Sequence, residues 1–338
     1  MLLFMSNTKQ HSNVGGHVAA IVATILSVLI ALFLFANRQY VVDQITNWQY
    51  QPTSEITGFA DRVGMNSTGK FYFYASQPTL ESTQDFNNKC GRKEQSTAIL
   101  GCYTGRNIYI YNVTNAQLDG IREVTAAHEM LHAAYDRMSD EERKTVDALV
   151  ETEYAKLKDN KDFADRMAFY ARTEPGERDN ELHSVIGTEV GTISNELEAH
   201  YAKYFTDRGK VVALHDKYAA VFSDLQTKGE QLSSQLTSLG NTIESESANY
   251  NKAVLQLNND IQAFNAKASG GGFSSDSEFQ SARSELVARA GQLDAERSAI
   301  NDEVTRYNTL RSELTSIASQ SDALNRSIDS SLAPAPSV

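Results

Sequence analysis

The chain offers no basic face to a polyanion. Asp and Glu total 43 against 31 Lys and Arg, a net charge of −12 over 338 residues, and the cations do not cluster. Neutralising phosphates needs clustered Lys and Arg, so nucleic acid is set aside as a partner. Cysteine is nearly absent too. Only Cys90 and Cys102 occur, twelve apart in NKCGRKEQSTAILGCYTG, with a polar, Gly-containing loop between them. Being the only two, and so close, they are expected to form a disulfide that staples this loop, which needs an oxidising compartment. The alternative is two unpaired thiols in a cytosolic domain.

Apolar residues make up 41% of the chain but are unevenly spread. Residues 18–36, VAAIVATILSVLIALFLFA, carry no charge, and Thr24 and Ser27 are the only polar side chains among them. At about 1.5 Å per residue this is about 28 Å of helix, enough to cross a bilayer core. A cleaved signal peptide would have a shorter apolar core ending in an A-x-A-like site, which Leu34-Phe35-Ala36 does not fit. An uncleaved anchor is therefore expected. Lys9 before the span and Arg38 after it barely decide its orientation. The cysteine pair does more, placing everything after residue 37 outside the cytoplasm, in the cell envelope.

The rest divides by pattern. Residues 1–17 form a cytoplasmic tail and 37–57 a polar juxtamembrane linker, whose Tyr40, Trp48 and Tyr50 suit a membrane interface. KFYFYAS (70–76) and NIYIYNV (107–113) alternate and are rich in β-formers, which predicts a small antiparallel sheet. From 115 to 206 the pattern is helical. SDEE at 139–142 reads as a capping box, with Ser139 as cap and Glu142 reaching back. A new helix should begin near Asp179 after TEPGERDN, and Ser194 should cap another containing Leu197, Tyr201 and Phe205. Beyond 209, Leu286, Leu293, Ile300, Tyr307 and Leu314 recur every seven residues, with Val304, Leu310, Ile317 and Leu324 between them. ASGGGFSSDS (268–277) separates this run from a matching one, predicting an antiparallel coiled-coil hairpin over 209–330 that could serve a protein partner. A parallel dimer with a flexible interruption is the alternative. Residues 331–338 are expected to be a disordered tail.

The chemistry sits in VTAAHEMLHAAYD, residues 124–136. An i, i+4 spacing puts His128 and His132 on one helical face, where both imidazoles can reach one ion at about 2.0–2.1 Å. Glu129 lies one residue round and can take a proton from water activated by that ion. Chance alone would produce HExxH in on the order of one chain in a hundred of this length. Apolar residues on most sides of the segment, however, predict a buried helix. Two buried histidines and a buried glutamate are costly unless paired or metal-bound.

In these residues the chain resembles the zincin metallopeptidases, which set an HExxH helix against a small sheet whose edge strand pairs with substrate. The resemblance covers about 58–206 and implies an α+β zincin-like catalytic domain over 58–208, with NIYIYNV in the edge-strand position. The metzincin extension is missing, since AAYDRMS follows His132. That points to the glutamate-type zincins (gluzincins), whose third ligand comes from a later helix. NELHS (180–184) resembles the thermolysin-like Asn-Glu-x-x-Ser pattern and implies Glu181 as that ligand. The pattern would continue with Asp where this chain has Val185, so the carboxylate that would orient a ligating histidine is missing there. Glu189 is the alternative third ligand and Glu196 a further one; His183 would point away if Glu181 ligates. His183, His200, Tyr201 and Tyr204 have the chemistry to stabilise an oxyanion, without any one being singled out.

The expectation is a membrane-anchored, Zn2+-dependent metallopeptidase that hydrolyses peptide or protein substrates outside the cytoplasm, with Glu129 as general base and His128, His132 and Glu181 on the metal. The rival is a non-catalytic envelope scaffold or adaptor, with a zinc-stabilised head and a coiled-coil interaction rod. A fourth protein ligand would favour the rival.

Overall fold

The computed structural model describes residues 14–91, 99–160, 163, 164, 167, 168 and 176–330. The expected tail at 331–338, residues 1–13 of the amino-terminal tail, 92–98 of the cysteine loop and 173–175 of TEPGERDN lie outside the described residues. Two compact units divide the chain: Met1–Val113 with Asp119–Asp216, and Thr114–Leu118 with Lys217–Val338.

The first unit begins with α1 (Val14–Ala36), of which Gly16–Ala36 is long and apolar enough to span a membrane and touches little of the protein. A signal sequence passes the same test of length and composition. The expected linker at 37–57 is instead helical and built into this unit. It carries α2 (Arg38–Gln49) and the start of α3 (Ser54–Arg62). Asp43 of α2 is buried and holds Arg137 through two bonds, Nε to Oδ2 at 2.8 Å and Nη2 to Oδ1 at 2.9 Å. Ile56 and Phe59 of α3 join the core. Polar composition predicts a linker; the buried Asp43–Arg137 pair, the packing of α2 on α4 and the core position of Ile56 make the segment part of the fold.

KFYFYAS is not a strand. It falls in α4 (Ser67–Ala75), capped by Asn66, whose side chain accepts from the Thr68 and Gly69 amides. Four alternating aromatics fit a strand, but the cap starts a helix and packing on the next layer completes it. β-Propensity yields to such context. The sheet has three short strands, β1 (Thr79–Glu81), β2 (Gly101–Tyr103) and β3 (Ile108–Tyr111), in the order β1-β3-β2. It is mixed rather than antiparallel, because β1 runs parallel to β3 while β2 runs antiparallel to it. The chain between β1 and β3 crosses over through α5 (Thr83–Lys89) and β2, as a parallel pair requires. NIYIYNV thus forms the central strand and not the edge. Cys90, at the end of α5, is disulfide-bonded to Cys102 in β2, with their Cα atoms 5.9 Å apart.

Behind the sheet lies α6 (Ile121–Asp136), followed by α7 (Asp140–Leu157), which opens on the Ser139–Glu142 capping box. Next come α8 (Arg178–Glu189) and α9 (Asn195–Tyr201), the latter capped by Ser194. Phe205 lies beyond α9, where it bridges to Met65. α6 packs against β2, β3, α3, α4 and α8 and is buried along almost its whole length. That explains a helix apolar on nearly every side.

The second unit takes in most of α10 (Gly209–Ser269) and all of α11 (Asp276–Ile328). They pair as an antiparallel hairpin. Arg289 Nη1 bonds Asp260 Oδ2 at 2.7 Å, Lys267 Nζ bonds Glu278 Oε1 at 2.6 Å near the turn, and the Phe264, Phe273 and Phe279 rings pack there at 5.2–5.3 Å. The recurring Leu286, Leu293, Ile300, Tyr307 and Leu314 are half-buried along the seam. Val304 is not; it stays exposed.

Candidate metal centre

The helical repeat of α6 brings the two motif histidines together, with His128 Nε2 3.1 Å from His132 Nε2. α8 supplies the third group. Glu181 Oε1 lies 3.5 Å from His132 Nε2, and its Oε2 lies 3.6 Å from His128 Nε2. Donors held about 2.0–2.1 Å from a tetrahedral ion stand about 3.4 Å apart, so these three separations bracket the spacing that such an ion imposes. Among the described residues, this is the group of His, Cys, Asp and Glu side chains that could hold a metal ion.

The charge balance agrees. Burial pulls the His128 imidazole down, but Glu181, Glu129 and Glu189 together outweigh it, and its pKa is raised. The nearby carboxylates favour positive charge at this imidazole.

The tautomer of His132 follows from its neighbours. Asn180 donates from Nδ2 to Glu177 Oε2 at 3.0 Å, which leaves its Oδ1 facing His132 Nδ1 at 2.9 Å. Oδ1 can only accept, so Nδ1 carries the proton and the Nε2 lone pair points into the group. This fills the place left by Val185 with an amide from the residue just before the ligand candidate. Asn180→Ala is expected to weaken metal binding roughly 10–100-fold, the usual cost of losing such an orienting partner. Asn180→Asp, which still accepts from Nδ1, should recover most of it. Competition against a chromophoric chelator measures both.

Two glycines let the elements close in. At Gly187 a Cβ would lie 2.5 Å from Leu131 Cδ1 and 2.7 Å from the Tyr201 ring, so α8 can approach α6 only without a side chain there. At Gly101 a Cβ would lie 2.6 Å from both Glu129 Oε1 and Thr125 Cγ2. The strand against the Glu129 carboxylate is therefore β2, an edge strand, and not NIYIYNV.

The other candidates lie elsewhere. Glu189 sits outside the group, its Oε2 3.3 Å from His215 Nε2, and Glu196 is exposed. His183 is fully buried with its Nε2 2.9 Å from His200 Nε2, and its ring stacks on Tyr201. Burial, with His200, His132 and His128 nearby, lowers the His183 pKa, and burial takes His200 down to about 4. Both stay neutral at ordinary pH. Tyr201 donates its hydroxyl to the His183 carbonyl at 2.7 Å, which ties α9 to α8. Tyr204 is buried beside the His200 ring. Asn180, Glu177 and Gly187 escaped sequence reasoning; the one available cue was the Asn of NELHS.

No protein-family model, curated protein or solved structure matches the chain, so any functional reading rests on the geometry of these residues.

Proposed function

We propose that this protein is a membrane-anchored, zinc-dependent metallopeptidase whose catalytic unit faces the outside of the cytoplasm. The observation that carries the proposal is the triangle of His128 Nε2, His132 Nε2 and Glu181, with sides of 3.1, 3.5 and 3.6 Å and Glu129 next in sequence. Two imidazoles and a carboxylate suit zinc, and three protein donors are the number found in catalytic rather than closed structural sites. Glutamate-type zincins would use the same set.

A zinc ion bound there supplies Lewis-acid polarisation of the scissile carbonyl and makes water more acidic. The chain's own residues do the rest. The Glu129 carboxylate takes the proton from the attacking water and delivers it to the departing amine nitrogen. Asn180 keeps the His132 lone pair directed inward. β2 is the edge strand that would pair with an extended substrate, and Gly101 leaves room there for the Glu129 carboxylate. The apolar α1 supports anchoring, and the Cys90–Cys102 disulfide supports an oxidising compartment.

The test combines elemental analysis with cleavage of an unstructured protein such as casein. One equivalent of zinc should copurify, and cleavage should stop with chelator and return with added zinc. Cleavage that survives zinc removal would refute the proposal. Bound zinc without any cleavage would leave the scaffold reading.

A further inference from the structure

Directly after the span, α2 carries its apolar side chains on the wrong face for a soluble protein. Val42, Ile45 and Trp48 are 50%, 48% and 88% exposed. At three-residue spacing they share one side of the helix. The opposite side cannot be exchanged for it. Asp43 is 3% exposed and bound to Arg137, and Asn47 Nδ2 donates to the Phe71 carbonyl at 3.3 Å. α2 packs that inner face against α4. The rotation of α2 is thus set by the protein, and the stripe is held outward.

We propose that the Val42–Ile45–Trp48 face of α2 rests on the bilayer, with Trp48 at headgroup level. The inference builds on α1 as an anchor but does not depend on hydrolysis. Continuity with α1 selects lipid as the occupant. Only Asn37 separates the two helices, and hydrogen bonds run on through it from Asn37 N to Phe33 O and from Val41 N to Asn37 O, each 3.0 Å. The stripe therefore begins within two helical turns of the membrane core. The headgroup zone is about 5–8 Å deep on each side, whereas twelve helical residues standing upright would rise about 18 Å. For Trp48 to sit in that zone, α2 would have to lean toward the membrane plane, and Asn37, whose φ of −109° and ψ of 23° leave the helical region, is where the chain could turn. An amphipathic indole beside two branched aliphatics is the side-chain chemistry of this zone. Of the three aromatics here, Tyr50 is excluded, because its hydroxyl is committed to the Pro78 carbonyl at 2.5 Å. The inner face of α2 holds Arg137 at the end of α6, so the contact would seat the metal helix close to the membrane surface.

Trp48 is the only tryptophan in the chain, so fluorescence of the unlabelled full-length protein reports this position alone. The protein is reconstituted into phosphatidylcholine vesicles. Trp48 emission should be blue-shifted and lose most of its intensity with lipid brominated near the glycerol end of the acyl chains, and less with lipid brominated near the chain termini. Emission of a hydrated indole, quenched by acrylamide and untouched by brominated lipid, overturns the proposal. Blue-shifted emission that no brominated lipid quenches also overturns it, since the stripe would then be covered by protein. A chain that alkaline carbonate washes off the vesicles defeats the anchor itself, an outcome distinct from the other two.

Discussion

Glu129→Gln is expected to retain zinc and to lose peptide cleavage by roughly 10²–10⁴-fold, the range for removing a general base. The amide keeps the shape of the side chain and its fit against Gly101 and Thr125, where there is no spare volume. What it lacks is a basic oxygen for the proton of water. The three donor side chains of the metal group are unaltered, so metal content should stay at the wild-type level. Initial rates on an unstructured protein, measured beside elemental analysis of the same preparation, separate the two effects. If the variant cleaves as fast as the parent, Glu129 is not the base and the zincin mechanism is wrong for this chain. Loss of both metal and activity would instead mean that Glu129 supports the site structurally.

Asp43→Ala should destabilise the first unit by roughly 3–5 kcal/mol, the cost of stranding one partner of a buried ion pair. Arg137 is nearly as buried as Asp43, so its guanidinium cannot turn to water when the carboxylate is removed. The damage should spread. Arg137 also donates to the Ala133 carbonyl at 2.8 Å and to the Tyr103 hydroxyl at 3.1 Å, joining the end of α6 to β2. Denaturant unfolding of the full-length protein in detergent measures the loss, and a weaker zinc affinity should accompany it. Asp43→Asn, which still accepts one of the two bonds, should fall between. If Asp43→Ala unfolds at the same denaturant concentration as the parent, the Asp43–Arg137 pair contributes no net stability and does not hold α2 to the fold.

The histidine pair, the Ser139–Glu142 box and the long hairpin helices were legible because each is written within one or two helical turns, or repeats at a fixed period. Glu181 came from a motif resemblance, and the structure brings it to the histidines. KFYFYAS misled because four alternating aromatics satisfy a strand and a short helix alike, and Asn66, which decides between them, lies outside the alternation. The linker misled because composition cannot reveal that Asp43 meets Arg137, a partner 94 positions away.

By itself, the order of residues determined that two imidazoles would share a face of a buried helix, that one run could cross a membrane, and that two matched arms would pair. Each of these is a consequence of local backbone geometry repeated along the chain. Tertiary structure alone decided which carboxylate closes the triangle, that Asn180 sets the His132 tautomer, that β2 and not β3 lies at the sheet edge beside Glu129, and which side of α2 is left outward. Those outcomes depend on how closely distant elements can approach, and side-chain volume at positions such as Gly101 and Gly187 controls that approach without leaving any periodic trace.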